Sequence, residues 1–313
     1  MGPEGGSFRG ESPFVPRSVS ERLACESLLG LSVGDALGAP FEGTTLDLSR
    51  LAVSIEPSGR APWTDDTQMA SSIVETLLAN GAIDQDRLAR AFAHRYESWR
   101  GYGRGMHRLL PLLNEGKDWR ELKDEVFPGG SYGNGAAMRV APLGAFYHDA
   151  SVDTVIREAR RSAEVTHAHA EALAGAATTA VAAWLAARSR RRAVPPFSEL
   201  CSATGAALHP SLKVSRGIEA AAKLSPAVDL AHAVARLGNG SNVTCFDTVP
   251  LAVWIAFRHL DDFEAAIRHA VAAGGDTDTL AAIVGGIVAA RKGLHGIPRR
   301  WRRKVEPLPL EPA

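Results

Sequence analysis

From Ser20 to Lys292 apolar residues return every three or four positions, and the alternation that marks a strand is nearly absent. The pattern predicts an all-α protein. Helices are expected over roughly 20–37, 66–80, 84–100, 104–115, 134–149, 152–164, 168–188, 197–208, 213–223, 227–237, 246–259, 262–273 and 277–292. Asp84 before QDRLARAFAHRYESW and Ser151 before VDTVIREARRSA put side-chain oxygens where first-turn N–H groups need acceptors. The breaks are rich in Gly or Pro, as in PSGRAPW, FPGGSYGNG, RLGNGSN and AAGGDTDT, and such loops can hold ligands on a helical scaffold. With no repeat of fixed period and no long linker, one domain is expected over 18–304, with tails at 1–17 and 305–313.

Composition strengthens this picture. Hydrophobic residues make up 45% of 313, enough for a large core, while aromatic content is only 6% and Ala is abundant, which suits closely packed helices. Lys plus Arg equals Asp plus Glu at 35 each, so no global field favours nucleic acid or an anionic membrane. The basic runs RSRRR at 188–192 and RRWRRK at 299–304 read as solvated helix ends. Cys25, Cys201 and Cys245 have no CxxC spacing, which argues against a zinc knuckle or a disulfide framework and for a reducing, cytoplasmic setting. No run approaches the ~20 continuous apolar residues of a membrane span, and the first seventeen residues lack the order of a secretory signal. A soluble monomer is expected.

Two loops carry candidate chemistry. Trp63-Thr64-Asp65-Asp66-Thr67 opens the helix TQMASSIVETLL; alone, such a segment is more often a strong N-cap. Gly274-Gly275-Asp276-Thr277-Asp278-Thr279 opens LAAIVGGIVAARKGL, and its two closely spaced Asp call for a counter-charge that a divalent cation would supply. Together the loops offer oxygen donors only, a set that suits magnesium, manganese or calcium better than zinc. A third loop, Gly129 to Gly135, could turn backbone N–H groups towards phosphate, a weak signal by itself.

Five blocks in order, GLSVGDALGAPFEG at 30–43, WTDDTQMA at 63–70, GSYGNGAAMRVAPLG at 130–144, THAHAEALAGA at 166–176 and GGDTDTLAAIVGGIVAA at 274–290, resemble those of the ADP-ribosylglycohydrolase family. The resemblance implies a single orthogonal multi-helix bundle with a two-metal cleft, releasing ADP-ribose from a protein side chain, an ADP-ribose polymer or an O-acetyl group. It implies two Mg2+ ions, with Mn2+ an alternative, held by Thr64, Asp65, Asp66, Asp276, Asp278 and Thr279. Glu42 would be the general acid/base or would orient the attacking water. Asp35 is either part of the catalytic site or a buried cap. Gly130, Ser131, Gly133 and Asn134 would bind the pyrophosphate and His167 would lie near it. Tyr132 and Phe127 would stack on adenine, core packing being an equal reading for Phe127, and His169 is read as structural. Acceptor contacts are sought in 100–130 and 238–248. Two rival readings stand beside this one: a non-catalytic ADP-ribose binder on the same fold, and a two-metal hydrolase acting on phosphate esters or on the pyrophosphate.

Overall fold

The computed structural model describes residues 16–43, 55–205, 208–225 and 227–310. Its helices are α1 (Val19–Gly38), α2 (Asp65–Asn80), α3 (Gln85–Arg95), α4 (Met106–Asn114), α5 (Trp119–Val126), α6 (Gly135–Met138), α7 (Ala141–Phe146), α8 (Val152–Glu164), α9 (Ala170–Arg188), α10 (Phe197–Thr204), α11 (Lys213–Ala222), α12 (Leu230–Leu237), α13 (Cys245–Arg258), α14 (Phe263–Ala272), α15 (Thr277–Lys292) and α16 (Arg299–Arg302). Short 3-10 turns follow α1 at Ala39–Phe41 and α15 at Leu294–Gly296. Among the described residues there is no strand, only isolated bridges at Ala61–Val305 and Gly133–Thr244. The all-α expectation stands.

The centre of the bundle is an antiparallel pair, α1 on α15. Gly30, Gly34 and Gly38 recur every four residues and form one stripe along α1. A Cβ at Gly30 would lie 2.2 Å from Cβ of Ala289, one at Gly34 2.0 Å from the Ala281 carbonyl oxygen, and one at Gly38 2.3 Å from the Thr277 carbonyl oxygen. Only hydrogen fits, so the two backbones touch. The C-terminal end of α1 is thereby pinned to the N-terminal end of α15, where Thr277 Oγ1 donates to the Gly38 carbonyl at 2.9 Å. Around this pair pack α2, α7, α9, α13 and α14.

Helix α9 is long and apolar enough to cross a membrane by length and composition, and 83% of that window is buried inside the bundle. Its run of Ala, Gly and Thr is apolar on nearly every side because neighbours surround it.

Several expected boundaries are corrected. The helix expected over 84–100 ends at Arg95, and the chain then extends from Tyr96 into the loop that reaches Gly105. The helix expected over 134–149 is two short ones, because Pro142 has no N–H to continue α6 and instead starts α7. Helix α5, capped by Asp118, lies where a loop was expected, and α16, which follows Pro298, falls within the basic run read only as a helix end. Most of the expected N-terminal tail lies outside the described residues. At the other end, Val305 is buried and Leu308 and Leu310 pack on the cluster of Ala24, Leu28 and Leu31, so 305–310 runs along the bundle.

Candidate active site

The α1–α15 contact brings chemistry to one end of the bundle. Asp35, on α1 one residue after the central glycine of the stripe, is fully buried. Its carboxylate accepts from Thr64 N at 3.0 Å, Thr64 Oγ1 at 2.8 Å, Thr67 N at 3.1 Å and Thr67 Oγ1 at 2.5 Å. Asp35 thus fastens the start of α2 to α1. Burial raises its pKa to about 6 against the pull of these four donors.

Thr64 is the N-cap of α2 and takes the Asp66 N–H on its hydroxyl, so Asp65 and Asp66 stand in the first turn, where the helix dipole favours negative charge. Asp65 N donates to the Arg100 carbonyl at 2.8 Å. At the start of α15, Asp276 is the N-cap residue and Asp278 stands in the first turn. One carboxylate oxygen each from Glu42, Asp276 and Asp278 lies within 4.8 Å of the others. Glu42 is exposed at the rim, just past the 3-10 turn, and Gly43 N donates to the Gly275 carbonyl at 3.0 Å. Thr279 N donates to Asp278 Oδ1 at 2.9 Å.

Little positive charge balances this cluster. Burial above all, and then the charge of Asp35, raises Asp65 and Asp66 well above the usual range. Burial, then Asp66 and Asp276, does the same to Asp278, and burial followed by Asp276 raises Glu42. Asp66 Oδ1 is buried without a hydrogen-bond partner. A buried carboxylate oxygen that no donor satisfies, in a group of acidic side chains whose charges repel, makes this cluster a candidate cation site. All six expected metal ligands, with Glu42 and Asp35, lie at this end of the bundle.

The glycine loop adjoins the acidic cluster. Gly130, at φ +84°, passes so close to α9 that a Cβ would lie 2.5 Å from the His169 nitrogen. Ser131 Oγ accepts from Gly133 N at 3.2 Å, while among the described residues the N–H groups of Ser131 and Tyr132 take no protein acceptor. Asn134 is buried and spends its amide on Asp276 Oδ2 at 2.6 Å and Thr248 Oγ1 at 3.0 Å. It joins the loop to the acidic cluster. Phe127 lies between Gly105, where a Cβ would fall 2.1 Å from its ring, and His167, whose imidazole stacks on it at 6.4 Å and 27°. Tyr132 is the open ring, half exposed, with its edge to His169 at 5.6 Å. His169 caps α9 by accepting from Glu171 N at 3.1 Å.

Of three further groups that shape the site, sequence reasoning placed Arg100 and Asn239–Gly240 only within ranges searched for acceptor contacts and gave Arg139 no role. The Arg100 guanidinium lies 3.5 Å from the Trp63 ring centre and 3.8 Å from that of Trp99, donates to the Trp63 carbonyl and pairs twice with Glu306. Trp99 next to Arg100, with Tyr96 and Tyr102 close by, was the available signal. Asn239 and Gly240 hold the second acidic loop, with Asp276 N donating to the Asn239 carbonyl at 3.1 Å. Gly-Asn-Gly between two helices was the hint there. Arg139, inside the third block, is fully buried behind the glycine loop.

The sequence model of the ADP-ribosylglycohydrolase family matches residues 17–311. The human ADP-ribosylhydrolase ARH3 is 32% identical, the alignment covering 93% of this chain and 90% of that protein. An uncharacterized protein of Archaeoglobus fulgidus is 33% identical over 88% of each chain. The solved structure of an ADP-ribosylglycohydrolase-related protein complex superposes with a TM-score of 0.64 at 27% identity, covering 92% of this chain and 93% of that one. With a family match over nearly its whole length and a bundle that superposes on a solved relative, this chain belongs to the ADP-ribosylglycohydrolase family.

Proposed function

We propose that this chain hydrolyses the ribosyl bond between ADP-ribose and an acceptor, releasing intact ADP-ribose, and does so with two Mg2+ ions. The observation that carries the reading is the buried acidic cluster, with Asp66 Oδ1 unsatisfied and too little positive charge nearby to balance it. Thr64, Asp65, Asp66, Asp276, Asp278 and Thr279 would hold the ions. When bound, the ions supply Lewis-acid polarisation and the charge that lets the carboxylates ionise together.

The protein's own groups divide the remaining work. The N–H groups of Ser131 and Tyr132, which take no acceptor among the described residues, would meet the pyrophosphate, and the half-exposed ring of Tyr132 would meet adenine. Cleaving the ribosyl bond builds positive character on the sugar, and water must attack C1 while the acceptor leaves. Glu42, exposed and beside Asp276 and Asp278, would orient that water and take its proton. The three free cysteines suit a reducing, cytoplasmic setting.

The test is a panel of defined substrates, with ADP-ribose on serine, on arginine, in polymer and on acetate, each with and without Mg2+ after chelation. Release of ADP-ribose that depends on the metal and is abolished by Asp278→Asn is expected. Full turnover in chelator, or AMP as the product, overturns the reading.

A further inference from the structure

Arg139 is buried in the core, and among the described residues no carboxylate is bound to it. Its guanidinium lies 4.4 Å from the Phe92 ring centre, and its Nη2 donates to the Ser162 carbonyl at 3.0 Å and to Thr166 Oγ1 at 3.0 Å. Thr166, fully buried, has its hydroxyl 2.7 Å from Nδ1 of His167. An arginine can only donate, so one lone pair of Thr166 Oγ1 is occupied. The hydroxyl proton then needs an acceptor, and Nδ1 of His167 is the one within reach among the described residues. A proton on Nδ1 would leave the Thr166 O–H unpaired in the core, at a cost comparable to a lost buried hydrogen bond.

We infer that Arg139 and Thr166 are positioning residues that hold His167 as the Nε2–H tautomer, with its single proton aimed at the Gly133–Gly135 loop. Nε2 lies 3.3 Å from the position a Cβ would take at Gly133 and 3.0 Å from that at Gly135, so the two glycines leave the ring its place. Among the described residues Nε2 has no hydrogen-bond partner. Burial, and then the charge of Arg139, pushes the His167 pKa down to about 3, so the ring stays neutral and the tautomer is the variable that matters. The orientation gives the loop a neutral, fixed donor. That this donor meets a pyrophosphate oxygen rests on the function proposed above; the tautomer does not.

The experiment is a long-range proton–nitrogen correlation spectrum of histidine-labelled, ligand-free protein at neutral pH, with His167 assigned by its disappearance in His167→Gln. Wild type is expected to show Nδ1 bare and Nε2 protonated. Thr166→Val and Arg139→Met are expected to admit the other tautomer, and Thr166→Ser to restore the first. Calorimetry is expected to show ADP-ribose binding weakened roughly tenfold in Thr166→Val and recovered in Thr166→Ser. Wild-type His167 protonated on Nδ1, or the Nε2–H form undisturbed in both disrupting variants, overturns the inference. The wild-type spectrum decides even where a variant does not fold. An Nε2–H wild type that binds no ADP-ribose sinks the proposed function and leaves the tautomer standing.

Discussion

Glu42 and Asp66 probe opposite requirements of the same cluster. Glu42 is exposed and joins the acidic group from the rim, so Glu42→Gln is expected to leave folding and ADP-ribose affinity nearly intact while kcat falls by ~10²–10⁴, the range for removing a general acid or base. Steady-state rates beside calorimetric binding check this. A near-normal kcat would move the proton transfer elsewhere, and absent turnover with intact binding in the wild type would favour the non-catalytic binder. Asp66 is almost wholly buried, and its pKa is raised by burial and by Asp35. A carboxyl group whose folded pKa is raised costs stability as the pH climbs above its unfolded value, in full once the pH passes the folded one. Asp66→Asn is therefore expected to melt above wild type in chelator at pH 8 and to lose the upward shift that Mg2+ gives the wild type. Thermal melts with and without Mg2+ measure both effects, and a wild-type melt unmoved by the ion counts against a cation site.

At the scale of elements, the α1–α15 contact sets the geometry and is the place to disturb it. A Cβ at Gly34 would strike backbone, which cannot move aside as a flexible side chain can. Gly34→Ala is expected to cost roughly 1–3 kcal/mol in urea unfolding, and to weaken Mg2+ binding because Asp35 and the start of α15 shift together. Wild-type stability in this variant would mean that the helices can separate freely. The end of α13 supplies a pH test. His259 lies 4.2 Å from His269 between ring centres, its Nε2 is buried without a partner, and burial followed by the charge of His269 lowers its pKa from 6.5 to about 4. Because the folded pKa is depressed, the stabilisation from the neutral ring is present above pH 6.5 and is lost as the pH falls through about 4. His259→Phe is expected to flatten the loss of urea stability between pH 7 and 5 relative to wild type, and identical slopes would refute it.

Across the whole molecule, the C-terminal segment returns to the first acidic loop. Ala61 N donates to the Lys304 carbonyl and Glu306 N to the Ala61 carbonyl, both at 2.9 Å, Trp63 Nε1 reaches the Pro307 carbonyl at 3.2 Å, and Glu306 grips Arg100. Arg100 in turn holds Trp63 and Asp65 through backbone contacts, so residues 304–307 brace the acidic loop from outside. Glu306→Ala is expected to cost about 1.5–3 kcal/mol, the scale of a charge-assisted hydrogen bond, and truncation after Lys304 to cost more and to raise the Mg2+ concentration needed for half-maximal stabilisation. Unchanged Mg2+ dependence after truncation would show that the loop holds its shape unaided.

The all-helical class, most helix positions and the two acidic loops were legible in the chain because each depends on local spacing. Apolar residues at helical intervals, capping residues such as Ser151 and Asp84, and Gly-rich breaks act within a few residues of themselves. The site residues could be named from ordered blocks, yet their meeting could not be read from any window. Asp35 and Asp66 are brought together with Asp276 and Asp278 by three glycines of α1 lying against α15, a contact between segments about 240 residues apart. The engagement of Asn134 with Asp276, the enclosure of Phe127 and the brace at 304–307 are likewise products of packing. The physical division is one of range: local backbone preference and hydrophobic period are encoded residue by residue, whereas which buried polar atoms find partners, and which such as Asp66 Oδ1 do not, is settled only when distant helices close around them.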